Sequence, residues 1–165
     1  MPRPAVDLIS VADFASLGRV LLLPDTNVYI ADVAGKLPLQ VQSLLDRALV
    51  FHCSVCLSEL ATGVANADPS AGGWPSIRDH YIEVFDNVPS TRLLNPDDQI
   101  WTDAGLVAGT LARIQGFQAH QRKECLNDAL IYLTAAKAGL PVLTANREEF
   151  DLIQQIVPEG RFVYY

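Results

Sequence analysis

Cysteine is scarce, with three residues in 165 and therefore an odd number. This excludes the paired framework of a small disulfide-stapled domain and suits a reducing compartment. Long apolar runs are missing as well. The longest near the N-terminus, Val20 to Leu23, stops at Pro24 and Asp25. That is far short of the roughly 20 residues that span a bilayer, so neither a transmembrane helix nor a membrane partner is expected. Asp7 and Asp13 interrupt what would have to be the apolar stretch of a signal peptide after Met1 to Arg3, which points to a cytoplasmic protein. Positive charge is in deficit: 12 Lys and Arg stand against 19 Asp and Glu, for a net charge of −7. A purely electrostatic nucleic-acid binder is normally basic. If this chain handles nucleic acid, the positive charge must come from elsewhere, and a divalent cation held by the surplus carboxylates would supply it.

What the sequence does have is apolar material, at 50% hydrophobic and only 19% charged, enough to offset chain entropy with a core. The length suits one domain. The only obvious break, Asn66 to Pro75, is rich in Ala, Gly, Pro and Ser and reads as a loop, so residues 1–165 are expected to form a single domain. Arg19 to Pro24 predicts a buried strand. A second run, Leu49 to Val55, follows the helical pattern Leu39, Leu44, Leu45 and Ala48, and shorter runs end at Leu94, Thr144 and Tyr165. Asn95-Pro96 followed by Asp97 and Asp98 predicts a helix start with Asn95 as the capping amide. Ile100, Ala104, Val107, Leu111 and Ile114 then recur at helical spacing and give that helix one apolar face, while Gly105 and Gly109 predict the close approach of another element. Asn127 predicts the cap of a further helix with Leu130, Leu133 and Ala136 turned inward. Strands alternating with helices predict an α/β fold with a parallel sheet of about five strands and helices on both faces. In such sheets ligands bind in the crevice at the carboxyl ends of the strands.

Acidic residues follow several of these runs. Asp25 lies just past the first strand, where a helix cap is the ordinary explanation. Glu59 follows Ser58 in what reads as the first turn of the next helix, where it would complement the helix dipole. Asp128 follows the expected Asn127 cap, and Asn146, Glu148 and Glu149 follow Thr144. Each is ordinary alone, but parallel topology brings them to one edge as a cluster of Asp25, Glu59, Asp128 and Glu149 or Asn146. Carboxylates crowded in this way raise one another's pKa unless a cation compensates. Oxygen-only ligation suits Mg²⁺ or Mn²⁺, which can activate water for attack on a phosphodiester.

The segments LLLPDTNVYI, SVCLSELATG and CLNDALIYLTAAKAGLPVLTANREEF, in that order and spacing, resemble the three acidic motifs of PIN-domain ribonucleases, and especially the VapC-type toxins of toxin–antitoxin pairs. The similarity covers about residues 19–165 and leaves 1–18 as an N-terminal extension. The resemblance implies an α/β/α sandwich, RNA cleavage dependent on Mg²⁺ or Mn²⁺, homodimerisation and inhibition by a small antitoxin. Asp25, Glu59 and Asp128 match the family's most regular acids. Asn146 stands where the family often has Asp, and Glu149 matches the acid that some relatives carry. Asp25, Glu59, Asp128 and Glu149 are therefore the candidate catalytic residues, with Asn146 joining the first three as a candidate metal ligand. Thr26, Ser58 and Thr144 are candidates to hydrogen-bond the carboxylates.

Weaker signals surround this set. Cys53 and Cys56 form a CxxC beside His52, but a structural zinc site needs four ligands, and Cys53 falls in a strand-like run where buried cysteines are ordinary. His120, Arg122, Lys123 and Arg147 are candidates to grip RNA phosphates. Trp74 and Trp101 could stack on bases or belong to a core or interface, and Tyr164-Tyr165 reads as the end of an edge strand. Two rival functions remain. One is an aspartyl-phosphate phosphatase, which normally needs an acid where Asn27 stands; the other is a degenerate, non-catalytic PIN module that only binds a partner protein.

Overall fold

The computed structural model describes residues 1–14 and 20–165. Arg19, the first residue of the first apolar run, and residues 15–18 of the expected extension lie outside the described residues. Among the described residues there are six strands: β1 (Leu21–Pro24), β2 (Leu49–Val50), β3 (His52–Cys53), β4 (Leu93–Leu94), β5 (Pro141–Thr144) and β6 (Arg161–Tyr164). Around them run α1 (Val11–Phe14), α2 (Thr26–Val33), α3 (Leu39–Arg47), α4 (Ser54–Asn66), α5 (Trp74–Asn87), α6 (Asp98–Gln115), α7 (Ala119–Lys137) and α8 (Arg147–Ile156).

All pairings between strands are parallel: β2, β1, β5 and β6 form one sheet in that order, and β3 pairs with β4. The two sheets meet in the extended passage Leu49–Cys53. Its first half pairs with β1 and its second with β4, while the N–H of Phe51 between them donates to Leu22 O at 2.9 Å. Counted as one strand, this passage gives the five expected, and β6 lies at an edge as Tyr164-Tyr165 implied. Side-chain alternation then divides the core. Leu22, Leu143 and Val163 pack with Val28, Val41 and Leu44 on one face; Leu23, Val142 and Phe162 pack with Ala104, Leu130 and Phe150 on the other. Helices therefore cover both faces, as near-continuous apolar parallel strands require. Among the described residues no helix is long and apolar enough to cross a membrane.

Several local expectations are corrected. The cap of α6 is Asp97, whose Oδ1 accepts the N–H of Ile100 at 2.9 Å, and not Asn95. Gly105 and Gly109 face open space, and Ile114 is 63% exposed, so the apolar face of α6 ends at Leu111. Asn127 caps nothing. Helix α7 begins at Ala119 because Gln118 and Gln121 form a reciprocal capping box, which places Asn127 and Asp128 in mid-helix.

The chain's two ends are tied together. Asp151 of α8 is wholly buried and accepts the Arg3 backbone N–H and Nε, both at 2.6 Å. Close packing is tightest before β6, where an ideal Cβ on Gly160 would lie 2.5 Å from Cε1 and Cζ of the buried Tyr132 ring. Gly160→Ala is therefore expected to lower stability by roughly 1–3 kcal/mol through overpacking, read from the denaturant midpoint. An unchanged midpoint would show that the ring moves aside freely.

Candidate active site

The first strand ends where the sheet changes direction. From β1 the chain goes to β2 on one side, and it later returns to β5 on the other, which makes the carboxyl ends of β1 and β5 the natural crevice. Asp25 sits there. Its N–H donates to Leu143 O at 2.8 Å, extending the ladder, and its side chain caps α2 by accepting from Thr26 N at 2.6 Å. The other oxygen accepts from Asn27 Nδ2 at 3.0 Å and from Thr144 Oγ1 at 2.9 Å. Cap and cluster member are thus one residue. Asp25 is 1% exposed, and burial pushes its carboxyl up to about 6 despite the hydrogen bonds from Thr144 and Thr26, with the charge of Glu59 adding to the rise.

Glu59 lies in the second turn of α4, because the helix starts at Ser54; the dipole explanation for it falls. Its carboxylate accepts from Thr26 Oγ1 and, at 2.7 Å, from Asn127 Nδ2. On the next residue of α7, Asp128 accepts from Asn146 Nδ2 at 3.1 Å. Desolvation raises Asp128 well above the ordinary carboxyl range, and the charges of Asp25 and Glu149 push it further. Asn146 also donates from Nδ2 to Glu149, so the two hydrogens of one amide join two carboxylates. Its own N–H donates to Thr144 Oγ1 at 2.9 Å.

These bonds bring Asp25, Glu59, Asp128, Asn146 and Glu149 around one cavity of about 320 Å³. Glu124 lines it too. Sequence reasoning missed Glu124, although its position four residues before Asp128 puts both on one helix face. Asn127 was also missed in this role. Among the described residues no Lys or Arg is ion-paired with this cluster. No three His, Cys, Asp or Glu side chains there stand close enough to hold a metal ion as placed. The amides of Asn127 and Asn146 bridge the carboxylates instead. Of the candidate second partners, Thr26 and Thr144 bond carboxylates, whereas Ser58 makes no such bond among the described residues.

The remaining candidates divide. His120 and Lys123 line a neighbouring cavity of about 430 Å³ that shares Glu59 and Glu124. Arg122 turns back to donate to Phe117 O at 3.1 Å, and Arg147 lies over the Tyr164 ring. Trp74 carries Arg78 over its ring, while Trp101 is 52% exposed. Cys53 ends β3 but also occupies the position preceding α4, with Cys56 one turn on. Both cysteines are wholly buried, as expected of core thiols.

No protein-family model and no curated protein sequence matches the chain. Solved structures do match. The chain is similar to one in FitAcB from Neisseria gonorrhoeae, with a TM-score of 0.63 and 19% identity over 87% of this chain and 96% of that one. Against VapBC2 from Rickettsia felis bound to a promoter DNA fragment the values are 0.59 and 15%, over 88% and 98%. Against VapBC-5 from Mycobacterium tuberculosis, a member of the VapBC family of toxin-antitoxin systems, they are 0.53 and 23%, over 88% and 98%. At such identities the likeness is one of fold, and it is the fold that the resemblance implied.

Without added divalent cation the cluster is a pH-dependent burden. A carboxyl whose folded pKa exceeds its unfolded value binds its proton more tightly when folded, so stability falls as pH rises from about 4 through the folded value. For Asp25, at about 6, the loss is about 3 kcal/mol at most. Asp25→Asn is expected to flatten this decline in denaturant midpoints measured across that range; identical slopes in the two proteins would refute the assignment.

Proposed function

We propose that this chain, folded like a chain of the VapBC and FitAB complexes, is a divalent-metal-dependent endoribonuclease and the toxin member of a toxin–antitoxin pair. The observation that carries the reading is the convergence of Asp25, Glu59, Asp128 and Glu149 on one cavity with no paired cation among the described residues. The donor set fits a hard ion. Every group is an oxygen ligand of the kind Mg²⁺ and Mn²⁺ prefer, and the Asn127 and Asn146 amides now satisfy oxygens that a cation would take. Asp25, Glu59 and Asp128 would hold the ion, with Asn146 or Glu149 completing its shell. When bound, it supplies Lewis acidity that activates water and neutralises charge on the phosphate. Thr26 and Thr144 fix the orientation of the ligand carboxylates. Glu149, which accepts a hydrogen bond from Asn146, would take the proton of the attacking water. Attack at phosphorus breaks the bond to the 3′ oxygen, leaving a 3′-hydroxyl and a 5′-phosphate.

The similar structures include VapBC assemblies bound to DNA, which supports a small antitoxin as partner; pairing with a second copy of the chain follows only from the family resemblance. An arginine from such a partner fits the cluster, since its planar fork can pair with carboxylates in bidentate fashion. The phosphatase alternative is disfavoured, because Asn27 puts an amide donor against Asp25 at 3.0 Å where that chemistry needs an acid.

Two measurements test the reading. Asp25→Asn is expected to weaken Mn²⁺ binding by about a hundredfold or more in calorimetry, beyond the loss typical of an outer-shell change. Asp128→Ala should abolish cleavage of single-stranded RNA while circular dichroism stays unchanged. Equal metal affinity in the first would remove Asp25 from the ligand set. Undiminished cleavage by folded Asp128→Ala would reject the mechanism, and a parent that binds no metal and cuts no RNA would favour the non-catalytic module.

A further inference from the structure

A third cavity on the same edge adjoins the carboxylate cluster and shares only Glu59 with it. It holds about 340 Å³, and Ser54, Ser58, Asn95, Trp101 and Asn127 line it together with Glu59, which it shares with the carboxylate cavity. The sheet explains the grouping. Ser54 begins α4 directly after β3, Asn95 directly follows β4, and these two strands are paired. Trp101 stands on the first full turn of α6 with 52% of its surface exposed. The side chains of Ser54, Ser58 and Asn95 have no hydrogen-bond partner among the described residues. An exposed indole beside free hydroxyls and a free amide offers both a face to stack on and polar groups to meet an edge. Those are the two contacts by which single-stranded RNA bases are held. An apolar peptide side chain would use the face and leave the amide and hydroxyls unsatisfied. Charge argues in the same direction. With a net charge of −7, the chain cannot rely on phosphate neutralisation for affinity, whereas stacking on a neutral base is indifferent to that deficit.

We propose that this cavity takes one unstacked nucleobase of the RNA, stacked on Trp101 with Asn95, Ser54 and Ser58 at its polar edge, and so positions the adjoining phosphate at the carboxylate cavity. This rests on the nuclease reading for its substrate class, but binding can be followed without cleavage. The chain has two tryptophans, so in Trp74→Phe the indole fluorescence reports Trp101 alone. Titrating it without divalent cation, a single-stranded RNA of about ten nucleotides is expected to quench saturably, and an abasic strand of the same length should bind about tenfold or more weakly. In cleavage assays Trp101→Ala should raise KM by about ten- to a hundredfold with kcat little changed, and Trp101→Phe should recover most of the loss. Equal quenching by both strands, or an unchanged KM in Trp101→Ala, would overturn the assignment. So would a signal that moves with a short Arg-rich peptide and with neither strand, which would make the cavity a protein-docking surface. Base-dependent quenching by a protein that cuts no RNA in Mn²⁺ would keep this site and fail the nuclease reading.

Discussion

A carboxylate with 1% of its surface exposed is among the most expensive groups a fold can contain, and Asp25 is tolerable only because three neighbours donate to it. Those donors tie together elements distant in sequence. Thr144 comes from the end of β5, Asn27 and the Thr26 N–H from the start of α2. Satisfying Asp25 therefore requires β1 and β5 to end at the same level, as the pairing of Pro24 with Leu143 ensures. It also requires α2 to begin at once. Thr26, fixed by that turn, then reaches Glu59 on α4, so one buried group sets the register of strand, helix and neighbouring helix.

Around it, the carboxamides of Asn127 and Asn146 do for Glu59, Asp128 and Glu149 what Thr144 does for Asp25. They supply donors without charge. Repulsion among the acids is moderated but not cancelled, and the raised carboxyls of Asp25 and Asp128 express the remainder. The result is a pocket biased toward positive charge and built on rigid elements. Asn146 also shows why an amide there is compatible with a binding role: an acid at that position would add to the repulsion that its two N–H bonds now relieve.

Much of this was legible in the sequence because it rests on short-range rules. Apolar runs ending in turn residues marked Leu21–Pro24 and Pro141–Thr144, and alternation of strand and helix implied that their carboxyl ends share an edge. What local rules could not place was the start of α7. Asn127 resembles a cap in isolation, yet Gln118 and Gln121 take that role, and the amide is needed across the cavity by Glu59, 68 positions away. Cys53 lies in a buried strand as its run implied, but that strand of two residues passes directly into a helix, which the apolar run to Val55 did not show. Trp101 could be recognised as helical, but its exposure depends on how α6 rotates over the sheet, which is decided by Ala104, Val107 and Leu111 beneath it.

The tie between Asp25 and Thr144 spans 119 positions, and that between Arg3 and Asp151 spans 148. Contacts so distant in sequence are slow to form, and here the central strand β1 is an early product of synthesis whose neighbour β5 is a late one. While the chain is still growing, Asp25 has neither the Thr144 hydroxyl nor the opposing Asp128 and Glu149. The acidic pocket is consequently incomplete until those residues arrive. It is completed only when β5 and α8 have joined β1, and a chain truncated before α8 lacks Glu149.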